Sequence, residues 1–378
     1  MMKIKTVRSK LLAGIKAVQD VVKTTDETSP FRNIRVETPN AGSVLLTGSN
    51  GNIQIQTRVA CEADGDCALT LVGHSLAAFV GSMREGVVEI DVGTGTRAMI
   101  HGGEAEFSIA KGEAHDFPLM KGPDGDGRVE YVLPAIQLVE MLRKVHYAAS
   151  ADKTRPTLMG VLLRARSALP GMDSVLLAVA ADGRRLSVVS VEIGNTGDVD
   201  AVLPRDLVSV LMKLAKTSFD QDLTVACDGR AFRVTADDWS VTAKLVDGVY
   251  PNYEQVIPKT ESVPNDVEVD RREFLENLAR ASLATYVENC QVKLTIGGNE
   301  VMFEARNDYS RVKAVMAAKY DGPKTVACFN PQLLKDALSC IDEESVHLHF
   351  RNGANPFVVS CSVPFKCVLM PTRDPEEA

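Results

Sequence analysis

The feature that most constrains this chain is a repeat. The segments SKLLAGIKAVQDVV (Ser9 to Val22), PAIQLVEMLRKVHYAA (Pro134 to Ala149) and DRREFLENLARASLAT (Asp270 to Thr285) are three versions of one amphipathic helix. Leu11, Leu138 and Phe274 correspond, as do Ile15, Leu142 and Leu278, then Val18, Val145 and Ala281. Their i, i+4, i+7 spacing makes each set the inward stripe of a helix. Behind each helix comes a hairpin pattern of two alternating apolar runs around a polar turn: VLLTGSNGNIQIQ, VLLAVAADGRRLSVV and VMFEARNDYSRVKAV. Asn50-Gly51 and Asp182-Gly183 are strong turn signals; Asp308-Tyr309 is weaker, because Tyr accepts positive φ poorly.

A second helix follows in GHSLAAFVGSM, PRDLVSVLMKL and NPQLLKDALSCI, with Leu76, Leu207 and Leu333 equivalent. Strands come next (GVVEIDV, LTVAC, VHLHF), and the blocks close near Phe117-Pro118, Tyr250-Pro251 and Met370-Pro371. Equivalent positions recur about 130 residues apart, a period that makes domains and not a solenoid. The expectation is an α+β chain of three similar domains, 1–126, 127–262 and 263–378, each with two helices on antiparallel sheet. The polar stretches KGPDGDGR (Lys121 to Arg128) and PKTESVPND (Pro258 to Asp266) are the linkers.

A chain of 378 residues affords this many cores, and 45% apolar with 24% charged residues is ordinary for a globular protein. The charged start MMKIKTVRSK lacks a secretory apolar run, and no stretch approaches the roughly 18 apolar residues of a membrane span, so the chain reads as cytoplasmic. Its eight cysteines form no C-x-x-C pair, and most are expected to be small buried apolar residues, in neither disulfides nor a zinc site. A net charge of −8 argues against an ordinary DNA-binding domain, which holds phosphate through a broad basic surface. It leaves room for a few basic side chains that all face one way. Lys16 and Lys23 lie seven apart on the first helix, away from its apolar stripe. Arg143 and Lys144 are on the first helix of the middle block, Lys213 and Lys216 on its second, Arg272 and Arg280 on the third-block helix, and Lys335 on its partner. Taken singly, each is as well read as a solvated helix face with i, i+4 partners such as Lys16 with Asp20.

Three further stretches narrow the reading: AADGRRLSVVSVEIG (Ala180 to Gly194), AKLVDGVYPNYEQVIPK (Ala243 to Lys259) and the terminal VLMPTR (Val368 to Arg373). In order and spacing they resemble the signatures of the bacterial sliding clamp family, the beta subunit of DNA polymerase III, and the threefold block carries the resemblance over nearly the whole chain. The resemblance implies half of a ring: two copies close head to tail, helices line the hole and sheets form the outer wall. It implies a non-catalytic processivity factor that encircles duplex DNA without reading sequence. Its implied partners are the DNA, a second copy of the chain, a clamp loader that spends ATP elsewhere, the replicative polymerase catalytic subunit, and other polymerases and repair proteins that dock through short linear motifs. Holding DNA by topology needs only modest phosphate contacts, so an acidic chain with a basic inner rim is consistent.

By matching motifs, the DNA-facing candidates are Lys16, Lys23, Lys144, Lys153, Arg155, Arg205, Lys213, Lys216, Arg272 and Lys335. Lys153 and Arg155 lie in the loop SADKTRPT. In the loop KTTDETSP, Asp26 stands where the family often has arginine, with Lys23 as the possible substitute. The implied peptide pocket is walled by Leu158, Ala181, Gly183, Arg185, Leu186, Pro251, Val256, Val368, Leu369, Met370, Pro371 and Arg373, with Asn330 and Leu333 nearby. Without the resemblance, Asp182-Gly183 reads equally as a hairpin turn and Leu186 as core. The chain departs from the family pattern at Thr372, where a larger apolar residue is common, at Gln255, where arginine is common, and in the terminal DPEEA (Asp374 to Ala378).

Enzyme readings lack support. There is no G-x-x-x-x-G-K-[ST], VGTGTR (Val92 to Arg97) lacks the full dinucleotide fingerprint, and no triad is recognisable, so neither a cofactor nor a catalytic residue is assigned. His347 and His349 share one face of a strand and could ligate a metal, but no third ligand is apparent, so they read as partly exposed strand residues. A sheet-rich scaffold that binds only proteins remains the other class.

Overall fold

Alternation and turn chemistry build the same sequence of elements three times in a computed structural model, which describes residues 2–22, 26, 28–125, 127–167, 173–194, 196–286 and 290–373. The first block runs β1 (Lys3–Val7), α1 (Arg8–Gln19), β2 (Asn33–Asn40), β3 (Ser43–Ser49), β4 (Ile53–Ala60), a short β5 (Glu62–Ala63), β6 (Ala68–Val72), α2 (Gly73–Ser82), β7 (Val87–Asp91), β8 (Arg97–Gly102) and β9 (Ala105–Glu113). The middle block repeats the order as β10 (Val129–Pro134), α3 (Ala135–Val145), β11 (Val161–Arg166), β12 (Ser174–Ala181), β13 (Arg185–Ile193), β14 (Val199–Leu203), α4 (Arg205–Ala215), β15 (Asp222–Cys227), β16 (Ala231–Thr235) and β17 (Trp239–Lys244). The last repeats it as β18 (Asn265–Asp270), α5 (Arg271–Ser282), β19 (Val292–Gly297), β20 (Glu300–Arg306), β21 (Arg311–Ala317), β22 (Thr325–Phe329), α6 (Pro331–Ser339), β23 (Ser345–Phe350), β24 (Phe357–Ser360) and β25 (Phe365–Leu369). The chain is α+β, as its patterning requires.

The stripes named from sequence are the ones that go inside. Leu11, Ile15 and Val18, then Leu142 and Val145, then Phe274 and Ala281 are fully buried, with Leu138 and Leu278 nearly so. Leu76 and Leu207 are fully buried as well, while Leu333 keeps 9% of its surface. All eight cysteines are free thiols. Burial pushes Cys340 up to about 11 and Cys367 up to about 12, which keeps both as neutral thiols near pH 7.

The three hairpin tips share a device that the glycines conceal. Asn50 Oδ1 accepts from the backbone N–H groups of Asn52 and Ile53 at 2.9 and 2.8 Å; Asp182 Oδ1 accepts from Arg184 and Arg185 at 2.9 and 3.0 Å. Asn307 Oδ1 does the same for Tyr309 and Ser310 at 2.9 and 2.8 Å. Gly51 and Gly183 supply positive φ at the first two tips, of 84° and 89°. Among the described residues the one non-glycine with positive φ is Asn299, in the separate turn between β19 and β20, so at the third tip Tyr309 is spared that conformation. The Asx oxygen closes the turn instead.

Two compact units result, one comprising Met1–Ile136 with Ser209–Leu245, the other Gln137–Val208 with Val246–Ala378. In the first, a continuous sheet runs β10-β15-β16-β17-β4-β3-β2-β6-β9-β8-β7-β1-β5. It crosses from one block to the next where Trp239–Ala243 of β17 pair antiparallel with Ile53–Thr57 of β4. In the second unit the sheet β14-β11-β12-β13-β25-β24-β23-β18 crosses in the same way, Phe365–Leu369 of β25 pairing with Arg185–Val189 of β13. A separate sheet orders β21-β20-β19-β22. Each crossing joins the second hairpin strand of one block to the last strand of the next. Helices accompany the strands: Lys213 on α4 bonds Asp20 beside α1 at 2.6 Å, and Arg143 on α3 reaches Asp342 beyond α6.

Candidate functional site

The second unit's crossing also builds the candidate site. At the end of β25 the N–H of Met370 donates to the carbonyl of Arg184 at 2.9 Å, and that of Thr372 to the carbonyl of Cys328 at 2.7 Å. These two bonds hold the terminal segment between the β12–β13 turn and the strand that leads into α6. Asn330 caps α6 by accepting from the N–H of Gln332 at 2.9 Å, and Pro331 follows at the first helical position, where its missing N–H costs nothing. Between these pieces lies a cleft of ≈ 460 Å³ lined by Arg184, Cys290, Gln291, Asn330, Leu333, Met370, Pro371, Thr372 and Arg373. Leu333, Met370 and Pro371 give it an apolar floor, and Arg184 and Arg373 give it positive charge. Among the described residues the buried Gln291 Oε1 and Thr372 Oγ1 have no hydrogen-bond partner.

Of the residues expected to wall the pocket, Asn330, Leu333, Met370, Pro371 and Arg373 come together here. Leu186 and Val368 lie beneath the surface in a core with Leu162, Val179, Val202, Tyr250, Tyr253 and Val358, and Leu158 and Ala181 pack against that core. Pro251 and Val256 are exposed next to the two buried tyrosines. Desolvation drives the Tyr250 phenol well above the ordinary tyrosine range, so it stays neutral.

Two expectations need correction. Leu369 is fully buried and, like the buried Val368 before it, does not line the cleft, which begins at Met370 where β25 ends. Arg185 is equally unsuited. Its guanidinium, 11% exposed, bonds Asp182 at 3.0 Å, Asp336 of α6 at 2.6 Å and the carbonyl of Tyr147 at 2.7 Å, and lies over the Tyr147 ring. It fastens the middle block to the last, while its neighbour Arg184 faces the cleft. Arg185→Ala should lower unfolding free energy by about 3 kcal/mol in a urea titration, since it strands two carboxylates in a part-buried network. Arg184, Cys290, Gln291 and Thr372 were not anticipated as a group. Thr372 alone carried a signal, as a departure from the family pattern.

The basic candidates divide by unit. In the first, Lys16 on α1, Lys213 on α4 and Lys216 just after it are all exposed, and the Lys213–Asp20 bond sets the two helices side by side. Asp20 is thus bound across helices by Lys213. Lys23 lies outside the described residues, as does the segment 374–378. Asp26 takes two bonds from Thr28, which hold its carboxyl below the usual range. In the second unit Lys153, Arg155, Arg205, Arg272 and Lys335 are exposed. Arg155 also reaches the β12–β13 turn, where a Cβ added at Gly183 would sit 3.4 Å from its Nη1. Lys144 does not belong with them. It is 8% exposed, and its charge helps hold the Glu343 carboxyl down. Arg143 beside it is spent on Glu140 and Asp342.

Beside the histidine pair on β23, Asp266 of β18 stands opposite His349 in register and brings a carboxylate close to both imidazoles, a neighbour the sequence did not reveal.

Comparison with known proteins matches three family models in succession: the N-terminal domain of the DNA polymerase III beta subunit over residues 2–121, its central domain over 132–252 and its C-terminal domain over 254–373. Curated relatives include a beta sliding clamp of Chlamydia pneumoniae, 26% identical over 98% of this chain and 99% of its own. One from Escherichia coli is 26% identical over 88% of this chain and 89% of its own. Among solved structures, a sliding clamp of Pseudomonas aeruginosa bound to griselimycin superposes with a TM-score of 0.91 at 22% identity, covering 99% of this chain and 100% of that one. The beta subunit of Thermotoga maritima gives 0.88 at 22% identity, covering 99% and 100%. Among the described residues no helix is long and apolar enough to cross a membrane. With three domain models matched in order along a thrice-repeated fold, the chain belongs to the DNA polymerase III beta subunit family, the non-catalytic beta sliding clamps of bacterial DNA replication.

Proposed function

We propose that two copies of this chain close head to tail into a ring that encircles duplex DNA in the cytoplasm and tethers the replicative polymerase to it. The three blocks, 1–126, 127–262 and 263–378, are its modules. The observation that carries this reading is a pair of leftover edges. Inside the chain, the second hairpin strand of a block pairs with the last strand of the next, as β4 with β17 and β13 with β25. Among the described residues, β21 and the Ala105–Ala110 stretch of β9 are the strands of those two kinds without such a partner. Exposed edges invite pairing, and a second copy offers the complementary one. Charge agrees: Arg311 and Lys313 lie on β21, Glu104 and Glu106 at the start of β9.

Lys16, Lys153, Arg155, Arg205, Lys213, Lys216, Arg272 and Lys335 form the basic lining of the ring. The cleft receives partner tails that carry an apolar anchor for Leu333, Met370 and Pro371, and an acidic group for Arg184 and Arg373. The clamp loader, the polymerase catalytic subunit, other polymerases and repair proteins compete for it.

The test is retention on a loaded circular duplex. Linearising the circle should release the protein, and equal retention on linear DNA with free ends would refute encirclement. Lys213→Glu with Lys216→Glu should weaken association with duplex and lower the slope of log K against log salt by about 1.8, two phosphate contacts' worth. No change in that slope would remove this pair from the lining and leave a protein-only scaffold as the better account of α4.

A further inference from the structure

On the outward face of the second unit's sheet, cross-strand pairing stacks ligand chemistry that sliding along DNA does not use. Asp266 and Glu268 on β18 stand opposite His349 and His347 on β23. His347 Nδ1 lies 2.9 Å from Asp266 Oδ1, His349 Nδ1 lies 3.5 Å from the same oxygen, and the imidazoles stack at 5.9 Å with 9° between their planes. One donor atom from each of the three residues falls within 4.8 Å of the other two. Neighbouring ligands in a tetrahedral zinc site stand about 3.3 Å apart, so these spacings need only small rotations to close on an ion. A second, independent observation is that His349 Nε2 makes a 2.8 Å hydrogen bond to Ser360 Oγ on β24. This is the outer hydrogen bond that fixes a metal-ligating imidazole's orientation and leaves Nδ1 for the metal. Glu268 is engaged by Lys319 and Ser345, and Lys366 is the opposing cation across the sheet.

We propose that Asp266, His347 and His349 form a binding site for a divalent transition ion of the zinc type, with water completing its coordination. The ion clips β18, the edge strand that opens the last block, onto β23. Two imidazoles and one carboxylate select zinc, nickel or copper over magnesium or calcium, which prefer all-oxygen sites.

The test titrates Zn²⁺ into the full-length dimer against a chromophoric chelator, with Co²⁺ as spectroscopic reporter. One equivalent per chain should bind, and Asp266→Asn, His347→Ala and His349→Ala should each raise Kd at least tenfold. Ser360→Ala should raise it about tenfold through loss of the orienting bond. Zinc should raise Tm in the parent protein but not in His347→Ala, whose zinc-free Tm shows whether it folds. The cobalt spectrum should lack sulfur-to-metal charge-transfer bands. No zinc uptake, uptake unaffected by all three ligand substitutions, or thiolate bands from the cysteines would each overturn the proposal.

Discussion

Val315→Pro should convert the dimer to monomers at concentrations where the parent protein is fully assembled. Val315 lies in the leftover edge strand β21 and is 45% exposed, so the fold does not depend on its side chain. Proline removes a backbone donor and fixes φ, which an intermolecular ladder cannot absorb. A loss of about 3 kcal/mol corresponds to a roughly 100-fold weaker dimer, readable by sedimentation velocity across a dilution series. Retention on circular DNA should fall with it, because an open arc encircles nothing. A dimer of unchanged affinity would show that copies associate elsewhere, and the leftover edges would then need another explanation.

Met370→Arg should abolish partner docking while leaving dimer and DNA retention intact. Met370 floors the cleft, 39% exposed, between Arg184 and Arg373. Replacing it removes an apolar contact and adds a third cation where a partner's anchor should sit. Anchors in such clefts carry about 2–3 kcal/mol each, so a fluorescent peptide from the polymerase tail should bind ~30- to 150-fold more weakly by anisotropy. Undiminished binding would move the docking site away from the cleft. Because the two substitutions act on different surfaces, assembly and recruitment should fail independently.

What was legible in the sequence follows from which forces are local. Helix stripes and hairpins are written in period and alternation, so Leu11, Leu142 and Phe274 could be placed inside without coordinates. The turn at Asp308-Tyr309 carries a weak signal because it has no glycine for positive φ, and the chain closes it instead with the side chain of Asn307. The strand crossings were not legible, since β4 and β17 are distant in sequence and either could have ended a sheet. The same gap explains the errors. Lys144 lies one residue from a buried stripe, and only the approach of the last block decides that it is covered. Arg184 ends the hairpin turn and Arg185 opens β13, and the sequence does not say which of the two adjacent arginines the last block captures. Asp266 lies in what reads as a linker, and register alone brings it to His347 and His349. The cleft was half legible: the family motif marked Met370, Pro371 and Arg373, while Cys290 and Gln291 arrive from a loop that no motif flags.

The shared sheet in the first unit separates the unit of sequence from the unit of cooperativity. The rungs between β17 and β4 should make the later part of the middle block melt with the first block. A fragment cut at the repeat boundary would expose two raw strand edges and lose half of its neighbour's support. Slow amide exchange should therefore spread across that seam as one protected patch, because backbone bonds in a common ladder open together. The repeat marks the blocks of sequence; the ladder sets what falls apart as a piece.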